Sequence, residues 1–411
     1  MNVLFLGNGF DLFHNLPTKY CNFLNTVNFL SFQDILKIKT VGDIFGNADL
    51  NTKDKNIHDS YKMYSDNYDN TSVDIVSLTQ LKELNDNLWY RYLSKSLKSE
   101  SSWIDFEKEI FTVIQSFRSL FNLNIKTSIS LGKLDPATSY IIKEFNFFFN
   151  TASSSTMPTG AKPIKNEYLI EYPLGSKNKI INIPKIIQEL SKQLNDLANA
   201  LKIYLKIFVE NAVKKSSHTL SFPWQQAFKY TDHIITFNYT NTYEEFYKKN
   251  NVVHIHGNID NNIVLGINPD GADNIETVDT TFITFKKYFQ RVKYKTDLKY
   301  LEFIEKNKGN TDIVLYIIGH SLDITDKDII QEIFFLASKI YILNYDETDE
   351  SNHISNLVNI FGKSDFDILR RKKNITFMSI TDNLNDIMRE NSEAEKNRKF
   401  QESIAYFAPM V

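Results

Sequence analysis

The sequence predicts an α/β protein: a Rossmann-like, doubly wound and mainly parallel sheet carrying a large helical insertion. Three observations predict it. Short β-rich apolar runs, several closed by Gly, Asn or Asp, stand at the start of the chain and again after residue 230. The last of these runs are separated by segments long enough for crossover helices, the alternation that builds parallel sheets. Between the two sets, apolar residues recur at threes and fours, which is the helical period.

Taken in order, Val3–Leu6 is an apolar run that meets Gly7-Asn8-Gly9 at once, the pattern of a buried strand entering a tight turn. No basic leader or small-residue cleavage site accompanies it, so it reads as a strand and not a signal peptide. A helix is expected after Pro17. From about residue 40 to 78 the chain turns polar, predicting a long surface loop. Helical faces follow at Leu88, Tyr92 and Leu93, then at Phe106, Ile110, Val113 and Phe117. Thr151 to Lys179 predicts a second loop. A long helix is expected from about Ile186 to Val213, after Pro184, with Leu190, Leu194, Leu197, Leu201, Leu205 and Phe208 on one stripe. Packing inside a helical domain explains that stripe more simply than a partner-binding or coiled-coil face. Strands are then expected at His233–Phe237, Val252–His256, Ile263–Ile267, Ile313–Ile318, Lys339–Leu343 and Ile375–Met378, with a crossover helix near Asp326 to Ala337. The division is a nucleotide-binding core of residues 1–30 plus 228–385, a mainly helical insertion of 31–227, and a C-terminal helix or tail of 386–411.

Composition narrows the function. With 411 residues, 42% hydrophobic, 31 Phe and 21 Tyr, the chain can bury a substantial core. A net charge of −3 disfavours general nucleic-acid binding, which wants a basic surplus. Cys21 is the single cysteine, so an internal disulfide and a multi-Cys zinc module are excluded; this fits a reducing cytoplasm. No apolar run reaches membrane-spanning length.

Ligands of open parallel sheets bind beyond the carboxyl ends of the strands. After the first strand stand Gly7, Asn8, Gly9, Phe10 and Asp11, where glycines let the backbone approach a phosphate; the third Gly of a full dinucleotide fingerprint is missing. The next strand ends in Asn238, whose amide suits a sugar hydroxyl or a water, the alternative being a helix cap. His254-Ile255-His256-Gly257 follows. In the expected strand both histidines point to the same face, because side chains alternate, and a neutral His is a general base for a hydroxyl or a water. A metal-binding His-x-His with His320, Asp323 or Asp326 is the competing reading, and no known spacing selects those ligands. A fourth strand end carries Gly319, His320, Ser321 and Asp323, leading to Asp326 and Asp328, where acidic residues also suit helix capping. The fifth ends in Asn344. Trp103, Asp105 and Glu107 could reach the crevice from the insertion, but helix packing and surface charge explain them more simply.

Leu6-Gly7-Asn8-Gly9-Phe10-Asp11, then Leu16-Pro17-Thr18, Tyr20 and Phe23, resemble the opening signature of the AbiH abortive-infection family. Trp103-Ile104-Asp105-Phe106-Glu107, Phe237-Asn238-Tyr239-Thr240, His254-Ile255-His256-Gly257 and Leu265-Gly266 resemble its later blocks. A looser similarity reaches the SIR2-like NAD-hydrolysing defence proteins. It implies that Gly7, Gly9, Gly319, Ser321 and Asn344 hold NAD as the substrate, with Asn8, Phe10, Asp11, Gly257 and Asp326 beside them. Asn238 would position a water or the nicotinamide ribose, and His256 would be the general base. Together the resemblances imply a cytoplasmic antiviral-defence hydrolase acting on a small-molecule nucleotide, an NAD⁺ glycohydrolase with no metal. They leave room for a phage-encoded trigger and for a homo-oligomer. The alternatives are a non-catalytic NAD or ADP-ribose sensor, and a metal-dependent hydrolase or nuclease using His254 and His256.

Overall fold

In the computed structural model the described residues are 1–46, 72–96, 103–123, 126–150, 161–211, 225–248, 251–268, 280–392, 396–397 and 400; the side chains of residues 45–46, 103–105 and 225 are excluded. Ten strands are described: β1 (Asn2–Leu6), β2 (Ser128–Ser130), β3 (Ala161–Pro163), β4 (Leu169–Glu171), β5 (Lys179–Ile181), β6 (His233–Thr236), β7 (Val252–His254), β8 (Val314–Ile318), β9 (Lys339–Asn344) and β10 (Ile375–Ser379). Six of them form one sheet in the order β10-β9-β8-β1-β6-β7, every neighbouring pair parallel. Counted along the chain, the sheet strands stand in the order 6-5-4-1-2-3, the doubly wound order whose direction of winding reverses beside the first strand.

Burial explains why these strands are short continuous apolar runs. Every residue of β1 and β8 is buried. Val3 and Phe5 point to one face, with Leu315, Ile317, Ile340 and Ile342. There they meet Tyr300, Ile330, Ile333, Phe334 and Leu357 from the covering helices. Leu4 and Leu6 point to the other face, with Tyr316 and Ile318, and pack on Phe10, Phe228, Tyr243 and Met388. A central parallel strand covered on both faces has no solvent side, so it cannot alternate in polarity.

The helical half has its own core. Helices Tyr20–Ser31, Ile75–Glu83, Leu88–Ser96, Trp103–Phe121 and Ile183–Tyr204 supply most of it. The long helix is capped by the Asn182 side chain, which accepts from the Lys185 N–H, and Pro184 sits in its first turn. It loosens into a π-helical stretch over Leu205–Glu210 and does not continue as a regular α-helix toward Val213; residues 212 and 213 lie outside the described residues. The same apolar cluster draws in Leu16, Ile259, Ile263, Leu265, Ile267, Phe282 and Phe285, so the helical core also uses segments that flank the sheet.

Several expectations need correction. Ile263–Ile267 is not a strand. The Gln290 side chain accepts from the Leu265 N–H and donates to its carbonyl, both at 2.9 Å, standing where a neighbouring strand would. Only an isolated bridge joins Ile267 to Lys286. The polar stretch from residue 40 carries the helix Val41–Gly46 and, from Ile75, another helix; residues 47–71 lie outside the described residues. Of the second expected loop, residues 151–160 lie outside the described residues; the remainder carries β3 and β4, which pair antiparallel with β2 before it and with β5 at its end. The helix expected after Pro17 begins at Tyr20; within the expected C-terminal helix or tail the helix Asn385–Asn391 is described, and residues 401–411 lie outside the described residues. Among the described residues no helix is long and apolar enough to cross a membrane.

Candidate functional site

The first and fourth sheet strands bring two glycine loops back to back. Leu6 pairs with Ile318, and from there Gly7 N–H donates to Ile318 O and Gly9 N–H to Gly319 O, at 3.1 and 2.8 Å. A Cβ on Gly7 would lie 2.5 Å from His320 Cα, and one on Gly9 would lie 2.6 Å from Gly319 Cα. Gly319 itself adopts φ +66°, the left-handed region. The backbone N–H groups of the two glycines expected to approach a phosphate therefore bond the neighbouring strand end and loop, and these glycines have a packing reason to be glycine.

Beyond this contact, at the carboxyl ends of the strands and at the reversal of winding, lies a cavity of about 810 Å³. That volume lies within the usual range of small-molecule pockets. Of the residues that the resemblance places at the NAD site, Gly7, Asn8, Gly9, Asp11, Asn238, His256, Gly319, Ser321 and Asp326 line it. Three do not. Phe10 turns into the core against Phe228 and Tyr243. Gly257 takes φ +74° against Asn262 O, where a Cβ would lie 1.9 Å away. Asn344 stands behind the wall: its Oδ1 lies 2.7 Å from Nδ1 of His353, and His353 lines the cavity.

The two histidines of the His-x-His part company. β7 ends at His254, and the chain then turns, so the alternation of a strand no longer applies to residue 256. His254 places Nδ1 against Asn238 O and Nε2 against Glu244 Oε1. His256 reaches Asp326, with Nε2 2.9 Å from Oδ1. A ring nitrogen facing an ionised carboxylate carries the proton, which leaves the lone pair on Nδ1. That Nδ1 is buried and has no hydrogen-bond partner among the described residues. Asn238 does not cap the following helix; its amide N–H donates to Gly7 O at 3.0 Å, tying β6 to the first loop.

Under the cavity lies a charged cluster the sequence did not reveal. Lys287, 1% exposed, contacts Asp326 Oδ1 at 2.9 Å and Glu107 Oε1 at 2.8 Å. Glu107, for which surface charge is the simpler of two expectations, is buried on the helix Trp103–Phe121 and reaches the cavity, as the other allows. A carboxylate on an apolar helical face was the signal available, but Lys287, in Phe285-Lys286-Lys287-Tyr288, carries none.

The electrostatics follow from burial. Desolvation opposes Asp326's charge, yet Lys287, His256 and His320 outweigh it and hold the carboxyl well below the ordinary range. Desolvation also works against Lys287, but Asp326 and Glu107 overcome it and raise its pKa. Burial, helped by repulsion from Asp326, pushes the Glu107 carboxyl up although Lys287 pulls it down. Burial lowers His256 against the pull of Asp326, with Lys287 and Arg291 assisting. His320, desolvated against Phe237 and Phe5, falls to about 3; its Nδ1 accepts the Leu322 N–H. At the far wall, burial pushes Asp11 up to about 6, while the Thr240, Thr242 and Asn238 side chains pull it back. Thr240 donates to Asp11 Oδ2 at 2.6 Å. Asp323 accepts from the Thr325 N–H as a cap, and Asp328 pairs with Arg291. Among the described residues no three His, Cys, Asp or Glu side chains are grouped to hold a metal ion.

Fold and cavity define a Rossmann-like α/β protein with a ligand crevice at its topological switch point, lined by histidine, carboxylate and amide groups. The profile of the family described as Bacteriophage abortive infection AbiH matches residues 3–345. The chain belongs to the AbiH family, which places it among proteins of phage abortive-infection defence. Comparisons with curated proteins and with solved structures gave no match.

Proposed function

We propose that the protein is an NAD⁺ glycohydrolase, cleaving the bond between nicotinamide and ribose with His256 as general base. The observation that carries this reading is the His256–Asp326 pair at a switch-point cavity. Asp326 fixes the tautomer and leaves the Nδ1 lone pair without a partner among the described residues. The chemistry asks for little more. As the C1′–N bond breaks, its electron pair goes to the cationic nicotinamide ring, which leaves neutral and needs no general acid. The sugar carries the positive charge, a water adds to C1′, and the base takes the proton released. Burial favours the uncharged imidazole that this step needs.

Asn238, anchored on Gly7 O beside the cavity, orients the water or a ribose hydroxyl. Ser321 and Asn8 supply polar contacts to the nucleotide, and Asn344 acts through His353. In an infected cell, loss of NAD⁺ would halt growth and stop the phage from multiplying. The likeness in motif order to SIR2-like proteins supports the substrate class.

The test is nicotinamide release from NAD⁺ by wild type and by His256→Ala. Wild type is expected to release it, and the variant to be slower by a factor on the order of 100 or more. Full hydrolysis by His256→Ala would overturn the assignment. Tight NAD⁺ binding by wild type without release, even with phage lysate added, would make the protein a sensor instead.

A further inference from the structure

Asp326 cannot set the character of His256 alone. A buried carboxylate hydrogen-bonded to an imidazole favours the imidazolium, and a protonated histidine is no base. In this structure the same carboxylate oxygen, Oδ1, also receives Lys287 Nζ, and both contacts are 2.9 Å. The ammonium is held from its other side by Glu107 at 2.8 Å, on a helix of the helical half. The cluster is buried at the cavity wall: Lys287, His256, Asp326 and Glu107 are all buried, and all four line the cavity.

We propose that Lys287 is a positioning residue for His256: by sharing Asp326 Oδ1 it neutralises the carboxylate and keeps the imidazole unprotonated, while Glu107 holds it in place from the helical half. The proposal rests on the NAD⁺ glycohydrolase reading for its catalytic meaning, but the electrostatic relation can be read without turnover. The groups facing His256 are Asp326 on its Nε2, Lys287 across Asp326 Oδ1 and Arg291 further along the same helix, itself paired with Asp328. His320 places Nε2 3.9 Å from Asp326 Oδ2. The Phe237 ring lies 5.1 Å from the imidazole and adds no charge. Of the described groups around it, Lys287 is the cation bonded to the oxygen His256 uses, whereas Arg291 is bonded to Asp328.

The consequence has a definite sign. Removing the ammonium leaves Asp326 uncompensated beside His256, so the imidazole gains affinity for its proton. The experiment follows the His256 ring resonance through a pH titration of the full chain labelled on histidine, assigned by its loss in His256→Ala. Wild type is expected to titrate below the usual histidine value, and Lys287→Gln to titrate about one pH unit or more higher. Lys287→Arg should remain close to wild type. Because Lys287→Gln leaves two buried carboxylates with a weaker partner, the paired variant Glu107→Gln/Lys287→Met is measured beside it; it is expected to shift His256 upward too. An unchanged His256 titration in either folded variant would overturn the proposal.

If wild type hydrolyses NAD⁺, the acid limb of its kcat/KM profile should move upward with the ring titration in Lys287→Gln. A shifted ring in a protein that releases no nicotinamide would defeat the catalytic reading and leave the electrostatic one standing.

Discussion

Gly9 and Gly319 lie face to face: the Gly9 N–H donates to Gly319 O at 2.8 Å, and a Cβ on either would come within 2.7 Å of the other's backbone. This contact closes the sheet's switch point and forms the cavity floor. Gly319→Ala would strain a left-handed backbone and meet Phe10 N at 2.2 Å. It is expected to cost about 2–4 kcal/mol in urea unfolding. A wild-type midpoint in Gly319→Ala would mean that the loops separate without penalty.

Asp326 partners two buried groups at once, so Asp326→Asn should be severe. Removing one member of a buried ion pair leaves an uncompensated charge and costs about 3–5 kcal/mol. Here Lys287 keeps Glu107, so the lower end of that range is expected. The variant should also lose hydrolysis, because an Asn at that place need not select the Nε2–H tautomer of His256. A drop in activity with unchanged stability would show that the ion cluster contributes nothing to folding.

Asp11 gives a pH dependence of folding. Burial raises its carboxyl to about 6, above the roughly 3.9 of an unfolded chain. A group whose pKa is raised on folding stabilises the native state when protonated. Its contribution is full below about pH 4 and is lost as pH rises through about 6. The two-unit displacement corresponds to about 3 kcal/mol at most. Asp11→Asn cannot ionise, so its stability relative to wild type should improve between pH 4 and pH 7. Urea titrations of the two proteins with the same pH slope would remove Asp11 as the source.

The two histidines of the His-x-His should separate by experiment. His254 bonds Asn238 O and Glu244 and does not line the cavity. His254→Ala is therefore expected to lower stability by about 1–2 kcal/mol through unpaired buried groups. It should retain nicotinamide release close to wild type, where His256→Ala is slower by a factor on the order of 100 or more. Equal losses in both variants would put His254 in the chemistry.

The sequence carries the sheet through its apolar runs, because a parallel strand buried on both faces must be continuously hydrophobic and must end in residues that turn. From that alone Gly7, Asn238, His256, Gly319 and Asp326 could be placed at strand ends, and strand ends of a doubly wound sheet converge. Tertiary structure decided what they do there. The glycines bind each other's loops because sheet spacing leaves no room for a Cβ. His254 and His256 diverge because β7 stops after three residues. Glu107 and Lys287, distant in sequence, meet because the helical half folds onto the carboxyl edge of the sheet. Periodicity reports which face of a helix is apolar, but not which buried charge finds a partner. That partner is set by the packing of segments far apart in the chain, and so the group that tunes His256 is visible only in the fold.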